Sequence, residues 1–424
     1  MFSAEVLRHL KESAEKIEGC EFKRAVISAP AYFEERARQR TKDAGKIAGF
    51  AEVYIISEPV AAATYYGLTK GKDMTIAVFD FGGGTFDICI LEIKDGNVNV
   101  LAIAGDPECG GSNIDESVFQ KLREFCKSKG KILDKEKDFA EWLELLDSCK
   151  QAKEMLSQKD KTLIPIKIKD ERTSMELTYD MLKQCSADVI KILRDCCKKA
   201  LEKAGLKASD IDKVLTVGGS SRLRFVPEII KDVFEKEPIG DADPALTIAM
   251  GDAVIGAVHF AESDDKIMVE GKEYLPSAIK IQQIAARDLC VAAVRKRKQG
   301  DTNLYNSPLI PAGSKLPFEA KEYFSPIESR TTAVSVKLID GPPGELSDNF
   351  TPIEEAEVMV QPTDAVNNND RIEFTIRMDE EGLVDMKVRD KILNKPVPIK
   401  FKFHAGLSDT QINEMKTQLE TRHK

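Results

Sequence analysis

The stretch "VFDFGGGTFDI" (Val78 to Ile88) decides how this chain is read. Three consecutive glycines stand between Asp80 and Asp87, with apolar runs on both sides. The segment "MTIAVFDF" (Met74 to Phe81) is nearly all apolar, the pattern of a strand buried on both faces. "FDICILEIKDG" and "NVNVLAIAGD" continue as two more strands. The glycine turn therefore joins strand to strand. A Walker A loop and a dinucleotide fingerprint both need a strand-to-helix turn, so this setting excludes them. A hairpin of Gly82, Gly83 and Gly84 can gather its amides into one concavity, and such a nest binds anions. Thr85 adds a hydroxyl at the rim. Carboxylates beside phosphates manage Mg2+ or its waters, a role open to Asp80 and Asp87. The competing reading is a glycine-rich hairpin with no ligand.

A second glycine turn raises the case for a nucleotide. "VLTVGGSSR" runs off a strand toward a helix. Gly218, Gly219 and Ser220 are expected where a helix N-terminus exposes its N–H groups. Arg222 is placed to stack on a base or contact phosphate, against the alternative of a solvated arginine.

Around these turns the chain alternates helix and strand. Residues 1–68 read α–β–α–β–α, and residues 69–260 read βββ–α–β–α. A charged helix is expected over Asp138 to Gln158, and one long helix from an N-cap at Thr178 to Ala204, stopped by Gly205. Asp243 and Pro244 are expected to open a further helix. Residues 261–286 read as a charged connection. From 287 to 404 the signals are strands, clearest in the hairpin 371–390, where Ile372, Phe374, Ile376 and Met378 alternate with polar residues, as do Val384, Met386 and Val388. A β-sandwich fits. Residues 405–424 open a helix with a Ser408-x-x-Gln411 capping box.

Composition bounds the function. The 424 residues carry a formal net charge of −9, which does not suit a nucleic-acid binder. No apolar run is long enough to cross a membrane. "MFSAEVLRHLKESAEK" is amphipathic rather than a signal peptide, and "ETRHK" is no retention signal. The nine cysteines form no C-x-x-C pair, which argues against zinc and for reduced thiols in a cytoplasmic setting. Vicinal Cys196–Cys197 reads as helix packing before a redox pair. The run Arg295 to Lys298 reads as a solvated strand end.

The chain resembles the 70-kilodalton heat-shock chaperone family of the actin-like ATPase superfamily. The resemblance rests on "APAYFEERARQRTKDAGKIAGF", "IISEPVAAATYYGL", "VFDFGGGTFDI", "AGDPECGGSNID", "AKEMLS", "VLTVGGSSR" and "GLSDTQINEM". It implies an α/β actin-like ATPase domain with an incomplete first lobe (1–68) and a second lobe (69–260). A linker (261–286), an antiparallel β-sandwich that binds peptide (287–404) and the start of a helical lid (405–424) would follow.

It also implies an ATP-dependent chaperone that takes unfolded apolar peptide segments, uses ATP/ADP with Mg2+, and works with J-domain co-chaperones and nucleotide exchange factors, without nucleic acid or membrane. Asp80 would lie near the metal, with Glu58 and Asp87 organising water and magnesium, and Gly82 to Thr85 would hold phosphate. Gly110 and Gly111 would face the phosphates. Lys153 and Ser157 would reach the nucleoside, with Gly218, Gly219, Ser220 and Arg222 beside it. Pro30 and Arg38 would relay nucleotide state between domains.

This sequence departs from the family in several places. The family's opening D-x-G-T-T hairpin, and a lysine important to hydrolysis, are absent from these residues, so an N-terminally truncated or diverged member is expected. Lys150, Glu154 and Ala245 replace an acid, an arginine and an aspartate. "IQQIAARDLC" stands in place of the acidic-leucine linker. A nucleotide-independent holdase or co-chaperone is therefore the alternative. A small-molecule kinase of the superfamily is disfavoured by the C-terminal strands.

Overall fold

The structure is a computed structural model that describes residues 1–70, 72–130, 132–168, 171–239, 246–262, 265–294, 303–325, 330–360, 362, 371–391, 395, 396, 399–403 and 406–421. The expected cap and first turn at Asp243 and Pro244, the replacement at Ala245 and the basic run Arg295 to Lys298 lie outside the described residues. Two compact units emerge. One comprises Met1–Ala29, Phe33–Ser57 and Asp252–Lys424, the other Pro30–Tyr32 and Glu58–Gly251.

The first unit opens with α1 (Phe2–Glu18), β1 (Arg24–Ala29), α2 (Glu35–Ile47) and β2 (Glu52–Ser57). Helix α1 stops at Gly19, whose φ of 69° only glycine adopts cheaply, with its N–H turned back to Glu15 O. Strands β1 and β2 pair in parallel, from Arg24 opposite Glu52 to Ala29 opposite Ser57. Gly45 lets α2 settle on them. A Cβ there would lie 2.8 Å from Ile27 Cδ1 and 2.9 Å from Val53 Cγ2.

The second unit runs α3 (Glu58–Lys70), β3 (Met74–Phe81), β4 (Phe86–Lys94), β5 (Asn97–Asp106), α4 (Gly111–Ser128), α5 (Phe139–Met155), β6 (Lys161–Ile168), β7 (Glu171–Thr178), α6 (Tyr179–Cys185), α7 (Ala187–Ala204), β8 (Lys213–Val217), α8 (Phe225–Phe234) and β9 (Pro238–Ile239). Its central sheet is ordered β5-β4-β3-β8-β9. Strand β3 is antiparallel to β4 and parallel to β8, so the apolar strand sits mid-sheet. Phe79, Phe81, Ile88 and Ile90 join the main core, while Ile76, Val78, Cys89 and Leu91 on the opposite face are also fully buried. The single helix expected from Thr178 to Ala204 is two helices. Thr178 Oγ1 caps α6 by accepting from Met181 N, and the break falls at buried Ser186, whose hydroxyl donates to Leu182 O. Helix α9 (Thr247–His259) contains the boundary between Gly251 and Asp252.

The first unit then continues with β10 (Ile267–Val269), β11 (Lys272–Tyr274), β12 (Ile281–Gln282), β13 (Leu289–Val294), β14 (Leu304–Ile310), β15 (Phe318–Phe324), β16 (Ala333–Asp340), β17 (Glu354–Met359), β18 (Ile372–Met378), β19 (Val384–Asp390), β20 (Lys395–Pro396), β21 (Ile399–Phe403) and α10 (Asp409–Thr421). The segment read as a bare connection thus carries the β10–β11 hairpin, turned at Glu270 and Gly271 with φ of 46° and 77°. Two antiparallel sheets, β14-β13-β16-β17-β21 and β15-β18-β19-β20, contribute to one core. The hairpin pairs as its alternation requires, with Phe374 opposite Val388 and Ile376 opposite Met386. All four side chains face that core.

The capping box at Ser408 forms reciprocally, Ser408 N donating to Gln411 Oε1 and Gln411 N to Ser408 Oγ. Ile412 and Leu419 of α10 pack with Ala4, Ala44 and Ile47 of α1 and α2.

Candidate functional site

The glycine hairpin closes through Gly82 N donating to Thr85 O at 3.1 Å, with Phe81 paired to Phe86 below it. None of Gly82, Gly83 and Gly84 has a left-handed φ, and a Cβ on Gly83 or Gly84 meets nothing within 4 Å. The expected nest, which needs such a φ, is therefore not formed in this conformation. The close packing comes from other elements. A Cβ on Gly110 would lie 2.3 Å from Gly83 O, and one on Gly218 (φ 81°) 2.5 Å from Phe81 O and 2.9 Å from Asp80 Oδ1. Helix α4 is stapled to the loop: Gly111 N donates to Gly82 O at 3.0 Å and Ser112 N to Gly83 O at 2.8 Å, and the Ser112 hydroxyl also donates to Gly83 O.

Beneath the loop lie three carboxyls. Asp80 is 5% exposed, and its Oδ2 is buried without a hydrogen-bond partner. Burial first, then the charges of Glu58 and Asp87, hold its carboxyl well above the usual carboxylate range. Asp87 Oδ1 accepts from Tyr32 N at 2.8 Å, which ties the Pro30–Tyr32 segment to this site. Among the described residues no three such side chains converge to chelate a metal directly. The donor set still fits Mg2+. That ion keeps several waters and binds through one or two carboxylates plus substrate phosphates, and the buried carboxyls of Asp80 and Asp87 with half-buried Glu58 would hold it that way.

Lys153 of α5 is 5% exposed and forms an ion pair with Asp115 at 2.8 Å, while donating to Gly111 O at 3.0 Å. Burial nonetheless raises the Asp115 carboxyl, with Lys153 opposing. Gly111 has no room for a side chain, since a Cβ would lie 2.3 Å from Ser220 Oγ. Thus Gly110, Gly111, Lys153, Gly218 and Ser220 meet around the glycine loop. The α-helix that follows this turn begins only at Phe225. Gly219–Arg222 form a short 3-10 turn, so these residues present no α-helix N-terminus. Arg222 is exposed, and Ser157 is half-buried just beyond α5. Arg38 is brought to a different place. It is buried in α2, its guanidinium donating to Glu381 O at 3.5 Å in the β18–β19 turn.

Three contributors escaped sequence reading: Asp115, Ser112 and the Tyr32 amide. The first two stand in the opening turns of α4, which begins three residues before the apolar period at Ile114 becomes visible. A backbone amide such as that of Tyr32 leaves no signal in a sequence. All nine cysteines are free, and burial raises Cys197, while Cys196 is pushed up to about 11, which makes them poor thiolates. No described helix is long and apolar enough to cross a membrane. The family model described as Hsp70 protein matches residues 1–424. With that match over its full length, and a mixed α/β fold that fits an actin-like ATPase domain, the chain belongs to the Hsp70 family.

Proposed function

We propose that this chain is an ATP-dependent chaperone whose second unit holds the nucleotide and whose antiparallel strands, a β-sandwich, take extended apolar polypeptide. Nucleotide state would set peptide affinity, a coupling typically worth about 1–3 kcal/mol. The observation that carries the reading is the meeting of two glycine turns and a buried carboxyl cluster at one end of the central sheet. The Gly83 and Gly84 amides bind phosphate oxygens, with Thr85 at their rim. Lys153, Ser157, Ser220 and Arg222 hold the nucleoside side. Glu58 and Asp87 orient the attacking water, and Asp80 lies near the metal. Mg2+, when bound, supplies positive charge that neutralises the phosphates. Phosphoryl transfer asks little covalent chemistry of a protein, so positioning and charge supply the catalysis.

Pro30 sits beside Tyr32, whose amide reads the state of Asp87. Arg38 reports on the β18–β19 turn. J-domain co-chaperones and exchange factors are the partners proposed with this function, and the cytoplasm the compartment. The alternative is a holdase without nucleotide control.

Fluorescence anisotropy with a short Leu-rich peptide, with and without Mg2+·ATP, separates the readings. Saturable binding that weakens with ATP supports the first. Binding indifferent to ATP supports the holdase. No saturable binding refutes both.

A further inference from the structure

The first two amides of α4 and the hydroxyl of Ser112 are all spent on carbonyls of the glycine loop. In a trans peptide the C=O and the N–H of the following residue lie on opposite sides. With Gly82 O held by Gly111 N, the Gly83 N–H faces away from α4. With Gly83 O held by Ser112, the Gly84 N–H faces the same way. Gly83 and Gly84 are both exposed, so these two parallel donors lie open.

The contact leaves no slack. Gly110 approaches the Gly83–Gly84 peptide so closely that a Cβ would sit 2.5 Å from Gly84 N. Asn113 holds Gly110 in place by accepting from its N–H at 2.7 Å. Ser112 is the one side chain donating to this peptide among the described residues. It is also solvent-exposed and packs against no core, so it can be changed without disturbing the fold.

We propose that Ser112 is a positioning residue for phosphate recognition: by holding Gly83 O with its N–H and hydroxyl, it fixes the Gly83–Gly84 peptide so that the two loop amides face the phosphates. It touches no ligand itself. The inference rests on the nucleotide reading of this site. It extends that reading to a residue the phosphate machinery works through.

Ser112→Ala deletes the hydroxyl and leaves the backbone amide. Losing one hydrogen bond that orders the loop should weaken ADP binding about two- to tenfold. Adenosine, which lacks phosphates, should bind as before, and Ser112→Thr should restore ADP affinity. Isothermal titration with ADP and with adenosine reads this split. Hydrogen exchange of the peptide spanning residues 81–88, without any nucleotide, should be faster in Ser112→Ala than in wild type. Equal ADP affinities in wild type and Ser112→Ala, or an equal loss for adenosine, overturns the role of Ser112. Unchanged exchange does the same even if nucleotide cannot be titrated. Wild-type protein that binds neither ADP nor adenosine instead removes the nucleotide reading on which the inference stands.

Discussion

Asp252 gives a sharp prediction because its surroundings are simple. It is the first residue of the first unit's C-terminal part, on α9, and its carboxyl accepts from the Ser28 hydroxyl of β1 at 2.8 Å. The contact repeats along the strand. Gly256 faces Val26, and the Phe260 carbonyl accepts from Arg24, so α9 covers the edge of β1 once per helical turn. Among the described residues no cation compensates Asp252, and its Oδ1 is buried without a partner. Burial pushes its carboxyl up to about 7 from 3.8. At ~1.36 kcal/mol per pH unit that is ~4 kcal/mol of reluctance to ionise, trimmed to about 2–3 by partial exposure.

The sign follows from linkage. A raised folded pKa means stability present at low pH and lost as pH climbs from about 4 through 7. Asp252→Asn keeps an acceptor for Ser28 and never ionises. Its stability relative to wild type should therefore rise between pH 5 and 7 and level off above. Urea unfolding by circular dichroism measures it, and fluorescence of Trp142, the lone tryptophan, follows the second unit separately. A mutant-minus-wild-type difference that is flat from pH 5 to 8 would refute the reasoning.

Lys153→Met should cost ~3–5 kcal/mol at neutral pH by leaving Asp115 buried and unpaired, and the loss should shrink as acid protonates that carboxyl; Trp142-monitored unfolding at two pH values checks it. Glu381→Ala removes the acceptor for Lys42 Nζ and for the Ile55 amide, which should cost the first unit about 2–3 kcal/mol in urea unfolding with little change in the Trp142 transition. Steady-state ATP turnover of the 424-residue chain should be slow, since each absent preorganised group commonly costs ~10²–10³ in rate; a phosphate-release assay giving turnover in the family's usual range would count against the assignment of the machinery.

How much of this could be read from sequence depended on the range of the interaction. The β18–β19 hairpin was legible because alternation is local and the register follows from Gly382, whose φ is 79°. The β6–β7 hairpin is hard to see in sequence although Ile164, Ile166 and Ile168 alternate. Pro165 sits within β6, and a proline inside a run argues against a strand unless the strand lies at an edge, as this two-stranded pair does. The strands of β10 and β11 are three residues each, too short for any period to show. The break at Ser186 hides inside a helical period because a serine bonding back to Leu182 O looks, in sequence, like any polar position.

At the site, residue identities were legible and their reasons were not. Three adjacent glycines suggested backbone freedom at Gly82 to Gly84, yet in this conformation those positions have ordinary φ and open space around Gly83 and Gly84. The demand for glycine is strongest at Gly110 and Gly218, where a methyl would strike the loop's own backbone. Those two lie far from the loop in sequence, and only packing brings them to it. Gly83 and Gly84 can therefore carry a side chain without damage to the resting fold, and any penalty there must arise when the loop meets an anion. A substitution at Gly110 acts earlier, because 2.3 Å to a carbonyl oxygen forces the α4–loop staple apart before any ligand is involved. The phosphate loop is thus shaped from outside, by the start of α4 on one side and the turn after β8 on the other.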